Sequence, residues 1–149
     1  GQPSDSTDTT DATTDRGSLS GLPPEVEADG NWAIANGSYE SSRTVDDAAI
    51  TSENVDDLEL AWTYEAPGGG TFGNFTTTPL VVGDSVYVGD LTTRVHAIDR
   101  ATGEGRFIVG EEAGIFGPTG VGIGWGRLFG TKANADGQAS SVVELAEYG

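Results

Sequence analysis

The chain has 149 residues, which is enough for one ordinary domain and too few for two large ones. Seven Lys and Arg residues against 24 Asp and Glu give a net charge of −17, so nucleic acid is not expected as a partner. Cysteine is absent and histidine occurs once, at His96, which excludes disulfides, thiolate nucleophiles and multi-histidine metal sites. An acidic chain whose one lysine is Lys132 is typical of proteins from high-salt surroundings, and we expect a halophilic origin.

The first 30 residues are predicted to form a disordered acidic tail or linker. Residues 1–20 contain nine Ser or Thr and four Asp, with too little apolar surface to offset the entropy of ordering. Residues 21–30 continue this segment, and Pro23 and Pro24 favour an extended polyproline spacer. Such a spacer fits either an exported domain held by an upstream membrane anchor or a disordered end with no anchoring role. An upstream anchor is the one route to a membrane that we expect.

Residues 31–149 are predicted to be ordered and all-β. Residues 51–55 are expected to make a short capped turn. Leu58, Leu60, Trp62 and Tyr64 alternate with polar residues, which predicts a strand with one buried face. Four short strands should then form an antiparallel meander whose first turn is Gly83-Asp84, and they are expected at residues 79–82, 85–88, 94–98 and 106–109.

The meander is followed by a weaker copy of itself. A shift of 41 residues places Val82-Gly83 on Ile123-Gly124, and a shift of 48 places Asp99 on Glu147. The difference is assigned to a loop over residues 132–138, where insertions are tolerated. A four-stranded sheet repeated every 40 to 45 residues or so predicts β-propeller blades, with a β-sandwich as the alternative.

Residues 97–104, Ala-Ile-Asp-Arg-Ala-Thr-Gly-Glu, resemble the Ala-x-Asp-x-x-Thr-Gly turn of the quinoprotein, or pyrroloquinoline quinone (PQQ), repeat. Phe107 stands where that repeat normally has Trp. Residues 54–62 and 78–82 resemble the amino-terminal region of PQQ-dependent alcohol dehydrogenases, including the polyvinyl alcohol dehydrogenase branch. The resemblance runs from about Asn31 to the end of the sequence and is most specific over residues 58–104.

The resemblance implies PQQ chelating a calcium ion, an alcohol or polyol substrate, and an Asp as base, with the calcium ligands and base supplied by later blades. Thr76 stands where the first blade of the family often has a Glu, and it is the one cofactor-binding residue that we predict. No catalytic or metal-binding residue is predicted in this chain. The family's vicinal disulfide against the cofactor is missing from residues 115–120.

The remaining chemistry-bearing residues have ordinary explanations. His96 is expected to be a satisfied or exposed histidine, because no orienting carboxylate lies at a recognisable spacing. Asp56-Asp57 and Glu111-Glu112 are expected to be solvated acidic pairs. The glycine-dense residues 120–126 are expected to serve tight strands and bulges, because no helix that could cradle a phosphate follows them.

The predicted fold is therefore all-β, an incomplete quinoprotein-type propeller of about two blades after an acidic tail. We expect a truncated product or fragment whose open edge pairs with the remaining blades or another chain. The first hypothesis for function is the amino-terminal part of an exported PQQ-dependent alcohol or polyol dehydrogenase, not catalytically complete here. The alternative is a non-catalytic propeller that serves as a cell-surface binding or assembly scaffold. Two N-glycosylation sequons, at Asn36 and Asn74, add to the expectation of an extracellular or cell-surface location.

Overall fold

The protein was analysed as a computed structural model, which describes residues 21–45, 48–67, 73–75, 77–110, 120–133 and 140–147. Strands are the main regular secondary structure in these ranges. The elements in chain order are helix α1 (Pro24–Glu27), a 3-10 turn (Val55–Asp57), and strands β1 (Leu80–Val82), β2 (Ser85–Gly89), β3 (Val95–Asp99), β4 (Gly105–Val109), β5 (Gly122–Gly124), β6 (Arg127–Ala133) and β7 (Ser140–Glu147). Among the described residues, no helix is long and apolar enough to span a membrane.

The strands form two antiparallel sheets in sequence order, β1-β2-β3-β4 and β5-β6-β7. The first is the predicted four-stranded meander. Its first turn is the predicted Gly83-Asp84 pair, because Val82 faces Ser85 across the hairpin. Gly83 has a φ of +56°, which glycine adopts without steric cost and which matches a two-residue hairpin turn. Two open antiparallel sheets confirm the all-β class and fit an incomplete propeller.

The second sheet is the predicted copy of the first. Ser85 faces Asp99 across β2 and β3, and Arg127 faces Glu147 across β6 and β7, which confirms the 48-residue shift from Asp99 to Glu147. The hairpins superpose at a shift of 42 rather than 41, because Arg127 follows the second turn as Ser85 follows the first. β6 extends through Ala133, so the predicted loop at 132–138 begins later than expected, and residues 134–139 lie outside the described ranges.

The core lies between the two sheets. The face of the first sheet that carries Leu80, Tyr87 and Ala97 packs against Ile123 and Leu128 of the second. Leu128 and Ala97 have no solvent exposure, and burial of a leucine side chain supplies about 1.5 to 3 kcal/mol. The opposite face of the first sheet is also covered, because successive strand residues point to opposite sides and both His96 and Ile98 are buried.

The segment over residues 21–30 differs from the predicted extended spacer. Pro24 begins α1, where its missing N–H costs nothing and its fixed φ suits the first helical turn. The carboxylate of Glu25, whose side chain is buried, accepts hydrogen bonds of 2.9 Å from the Trp125 N–H and 2.7 Å from the Gly126 N–H. α1 therefore docks on the turn between β5 and β6. Residues 1–20 of the predicted tail lie outside the described ranges, and the boundary at residue 31 stays a prediction.

The predicted strand over residues 58–64 is only partly right. Trp62 and Tyr64 are half-buried while the residues between and beside them are exposed, so the alternation holds there. Leu58 and Leu60 are instead 58% and 83% exposed, and within the described ranges this segment pairs with no strand. The capped turn predicted at residues 51–55 is present, since Asn54 Oδ1 accepts the Thr51 N–H at 2.7 Å.

Candidate functional site

The turn between β2 and β3 is organised around the Asp90 carboxylate. Asp90 Oδ1 accepts the backbone N–H of Thr92 at 2.8 Å, the Thr92 hydroxyl at 2.9 Å and the backbone N–H of Arg94 at 3.0 Å. An aspartate that caps its own turn in this way replaces the hydrogen bonds that a tight loop leaves open. The capping also supports Thr93, which has a φ of +73° in the left-handed region.

The second oxygen of Asp90 receives two side chains. Arg94 Nε lies 2.9 Å from Asp90 Oδ2, and His96 Nε2 lies 2.9 Å from the same atom. On its other side, His96 Nδ1 lies 3.0 Å from the hydroxyl of Tyr64. The imidazole has no solvent exposure and Asp90 is 4% exposed. These contacts form a continuous chain, buried at His96 and Asp90 and half-buried at Tyr64, that we call the Tyr64–His96–Asp90 relay.

The protonation of the relay follows from its hydrogen bonds. Burial alone would raise the pKa of Asp90, but hydrogen bonds from His96, Arg94 and Thr92 outweigh it and lower that pKa from 3.8 to about 2. An ionised carboxylate only accepts hydrogen bonds, so His96 Nε2 carries the proton that it donates to Asp90. In the neutral imidazole, Nδ1 then accepts the Tyr64 hydroxyl. One tautomer satisfies all three side chains.

Aromatic rings enclose the imidazole. Phe75 and Tyr64 meet His96 edge-on, with ring centroids 5.4 Å and 5.9 Å from it and interplanar angles of 84° and 76°. Such T-shaped contacts are favourable because the positive edge of one ring faces the negative face of another. They also cover the imidazole, which has no solvent exposure, and a low local dielectric strengthens its hydrogen bonds.

The end of the first sheet that carries Asp90 also holds the chain on both sides of residue 76. Phe75 pairs with Asp90 as an isolated β-bridge, and the Leu91 N–H donates to the Asn74 carbonyl at 3.0 Å. The Thr77 hydroxyl donates to the Gly89 carbonyl at 3.1 Å and accepts the Gly89 N–H at 3.0 Å. Thr76 itself lies outside the described residues, so its role at a cofactor stays a prediction.

His96 is a satisfied histidine, which is one of the two predicted alternatives, but the expectation that no carboxylate orients it is wrong. An orienting carboxylate does exist, at Asp90, six residues earlier. The signal was available, because Asp90 directly follows β2 and His96 is the second residue of β3, so the turn over residues 90–94 brings them together. Tyr64 lies 32 residues before His96, and nothing local in the sequence connects them.

The acidic pairs and the glycine-dense segment were the other candidates in the sequence. Asp56 and Asp57 are exposed, as solvated acids are expected to be, and Glu111 and Glu112 lie outside the described residues. Residues 120–126 include the predicted strand, β5, and it is followed by a two-residue turn at Trp125-Gly126 instead of a bulge. The N–H groups of that turn bind an anion, which is the chain's own Glu25.

The opposite end of the first sheet carries the Thr-Gly turn. Asp99 Oδ1 accepts the backbone N–H groups of Ala101 and Thr102, both at 2.9 Å, and Asp99 Oδ2 lies 2.6 Å from Arg106 Nη2. The ion pair with Arg106, followed by the turn hydrogen bonds, lowers the pKa of Asp99 to about 2. Trp62 covers this turn, and its indole N–H donates to the Arg100 carbonyl at 2.9 Å.

The described residues do not supply a calcium site. They contain no group of three or more His, Asp or Glu side chains that could hold a metal ion. Arg94 is paired with Asp90 and Arg106 with Asp99, so both of these cations already have carboxylate partners. The donor set of this part of the chain therefore does not fit PQQ with its calcium ion as a complete site.

Comparison with known proteins identifies the class of this fold. The family described as glucose/ethanol/alcohol dehydrogenase, beta-propeller domain (PQQ) matches residues 32–114, more than half of the chain. The chain belongs to this PQQ β-propeller family. It is also 38% identical over 69 residues to a Paracoccus denitrificans protein named "Putative dehydrogenase XoxF"; the match covers 46% of this chain and 11% of that relative.

Proposed function

We propose that this chain supplies amino-terminal blades of an exported PQQ-dependent dehydrogenase that oxidises an alcohol or a polyol. The observation that carries the proposal is the family match over residues 32–114, which includes the whole four-stranded sheet and its Asp90 end. The 38% identity to a dehydrogenase supports the same assignment. Catalysis would need further residues, because this part of the chain does not by itself fit the cofactor and its metal ion.

The Asp90 end of the first sheet is the part of this chain that we assign to the cofactor side. Its hydrogen bonds hold residues 75 and 77, which flank Thr76, against the end of β2. A threonine hydroxyl at that position would donate a hydrogen bond to a quinone oxygen. PQQ would supply the oxidising quinone, and the chain's own part would be to orient it and exclude water.

The proposal extends to partners and location. β4 and β7 are edge strands of their sheets, and open edges accept further strands, so we assign them to the remaining blades or to another chain. Export is supported by the Ser, Thr and Asp-rich first 20 residues, which fit a spacer between an anchor and a domain, and by the two sequons. The amides of both sequons donate hydrogen bonds, Asn36 to the Ser41 hydroxyl at 3.4 Å and Asn74 to the Ala66 carbonyl at 3.2 Å. Asn36 is the better glycan acceptor, because its hydrogen bond is exposed and that of Asn74 is partly buried.

The second candidate is a non-catalytic propeller that serves as a cell-surface scaffold. Two sequence observations favour it: Thr76 stands where the resemblance implies a Glu, and the chain has no cysteine for the vicinal disulfide of the family. A hydroxyl cannot replace an acceptor-only carboxylate. The scaffold would use the same blades and open edges without PQQ.

A chimaera separates the two functions. The matching 69-residue stretch of this chain replaces its counterpart in the Paracoccus denitrificans relative, with the unaltered relative as positive control. PQQ binding with calcium is followed by absorbance, and alcohol oxidation by reduction of an artificial electron acceptor. We expect the chimaera to retain saturable PQQ binding. A chimaera that melts as cooperatively as the relative but no longer binds PQQ would favour the scaffold.

A further inference from the structure

We propose that Tyr64 is a one-electron redox site, which gives an electron to strong one-electron oxidants while its phenolic proton passes to His96. The proposal rests on the Tyr64–His96–Asp90 relay and holds whether or not PQQ binds. It assigns a chemical use to a buried side-chain network for which the dehydrogenase proposal has none.

The chemical requirement is a base at the phenol oxygen. A phenol that has lost an electron is a far stronger acid than the neutral phenol, so oxidation is easiest where the proton leaves at the same time. A positioned base must lie about 2.6 to 3.2 Å from the group that it deprotonates. His96 Nδ1 lies 3.0 Å from the Tyr64 hydroxyl, within that range.

Asp90 makes His96 an effective base for this step. When Nδ1 takes the phenolic proton, the imidazole becomes a cation inside a site with no solvent exposure. The Asp90 carboxylate, 2.9 Å from Nε2, compensates that charge, as a carboxylate does when it orients a catalytic imidazole. Arg94 and Thr92 hold the carboxylate in position, so little rearrangement accompanies the proton transfer.

One electron leaves Tyr64 for the oxidant, an organic radical or an oxidised metal complex, which is reduced by one electron. The O–H bond of Tyr64 breaks and an N–H bond forms at His96 Nδ1, which leaves a neutral tyrosyl radical beside an imidazolium. Asp90 keeps its charge throughout. A later one-electron reduction returns the proton to the phenol oxygen and restores the relay.

Burial protects the radical state. Tyr64 is half-buried, and the rings of Phe75 and His96 lie against one another beside it. Tyr39, by contrast, is 54% exposed and is the natural comparison within the described residues. His96 distinguishes Tyr64 from Tyr39, because it is a base inside the protein. Oxidation of an exposed tyrosine depends on a base from the buffer, whereas oxidation of Tyr64 does not.

Flash oxidation of the full chain tests the proposal. The oxidant is a photo-generated ruthenium(III) tris-bipyridine complex, with persulfate as electron acceptor, and the tyrosyl radical is followed by transient absorption and electron paramagnetic resonance. We expect Tyr64→Phe, which keeps the ring and its packing, to lose most of the radical signal. The matched variant Tyr39→Phe should retain most of it.

The base is tested separately. In the unaltered protein the rate of tyrosyl formation should not change with the concentration of buffer base, whereas in His96→Asn it should fall and become dependent on buffer base. An equal radical yield in the unaltered protein and in Tyr64→Phe would overturn the proposal. So would a rate in the unaltered protein that rises with buffer base, and this measurement needs no variant to fold.

Discussion

Gly103, in the Thr-Gly turn, offers the sharpest test of the packing around Trp62. Its φ is +76°, and a Cβ added there would lie 2.7 Å from both Cγ and Cδ2 of the Trp62 indole. Gly83 provides a matched control, because its φ is +56° but nothing lies within 4 Å of an added Cβ. Alanine at either position carries the left-handed backbone penalty, and alanine at Gly103 alone meets the indole ring.

The expected magnitudes follow from these two features. A left-handed conformation costs an L-residue about 1 to 2 kcal/mol, which is the expected loss for Gly83→Ala. Overpacking adds about 1 to 3 kcal/mol, so Gly103→Ala should cost about 2 to 5 kcal/mol in the free energy of unfolding. Trp62→Ala, which removes a half-buried indole, should cost about 3 kcal/mol by itself.

Urea denaturation followed by far-ultraviolet circular dichroism measures each of these values. In a Trp62→Ala background the ring is gone, so the excess cost of Gly103→Ala over Gly83→Ala should disappear. The reasoning is refuted if the two glycine variants lose the same stability in the natural chain. It is also refuted if the excess at Gly103 persists without the indole.

Three further predictions use the charges and the cofactor. Because the pKa of Asp90 is lowered from 3.8 to about 2 in the folded protein, its ionised form contributes stability above pH 3.8 that is lost as the pH falls towards 2. Asp90→Asn should therefore be less stable than the natural chain at neutral pH and should lose less stability between about pH 4 and 2. Acid titration of the circular dichroism signal measures this, and an acid transition that Asp90→Asn leaves unchanged would contradict the prediction. With a net charge of −17, the chain should gain β signal as salt rises from about 0.01 M to 1 M, where the Debye length falls from about 30 Å to about 3 Å; equal signals at both ends would remove the halophilic interpretation. Titration of PQQ with calcium against this chain alone should give no saturable micromolar binding, and such binding, if lost in Thr76→Ala, would mean that the first blade already forms a cofactor surface.

Local signals in the sequence predicted most of the fold. The Gly83-Asp84 and Thr102-Gly103 turns, with alternating apolar residues between them, are sufficient for the four-stranded sheet. The second sheet was predicted from the same pattern through the repeat. Glycine-dependent turns and strand periodicity act over a few residues, so one sequence reveals them.

Contacts between distant residues were not predictable in the same way. Leu58 and Leu60 follow the strand pattern perfectly but are exposed, because a pattern cannot supply the neighbouring strand that would bury them. The relay was missed for a similar reason: its carboxylate and imidazole meet across one turn, but its phenol comes from a segment 32 residues earlier. Thr76, predicted from the family resemblance alone, has no test in the described residues.

The hydrogen bonds from the Trp125-Gly126 turn to Glu25 join residues about 100 positions apart in the chain. Each sheet is a meander of neighbouring strands, which closes short loops and can form quickly. The docking of α1 needs the turn between β5 and β6, so it cannot precede that hairpin. During synthesis the ribosome must release more than a hundred residues before Glu25 finds its partners. Until then the Glu25 carboxylate stays in water, and the first sheet lacks the second sheet that completes its core.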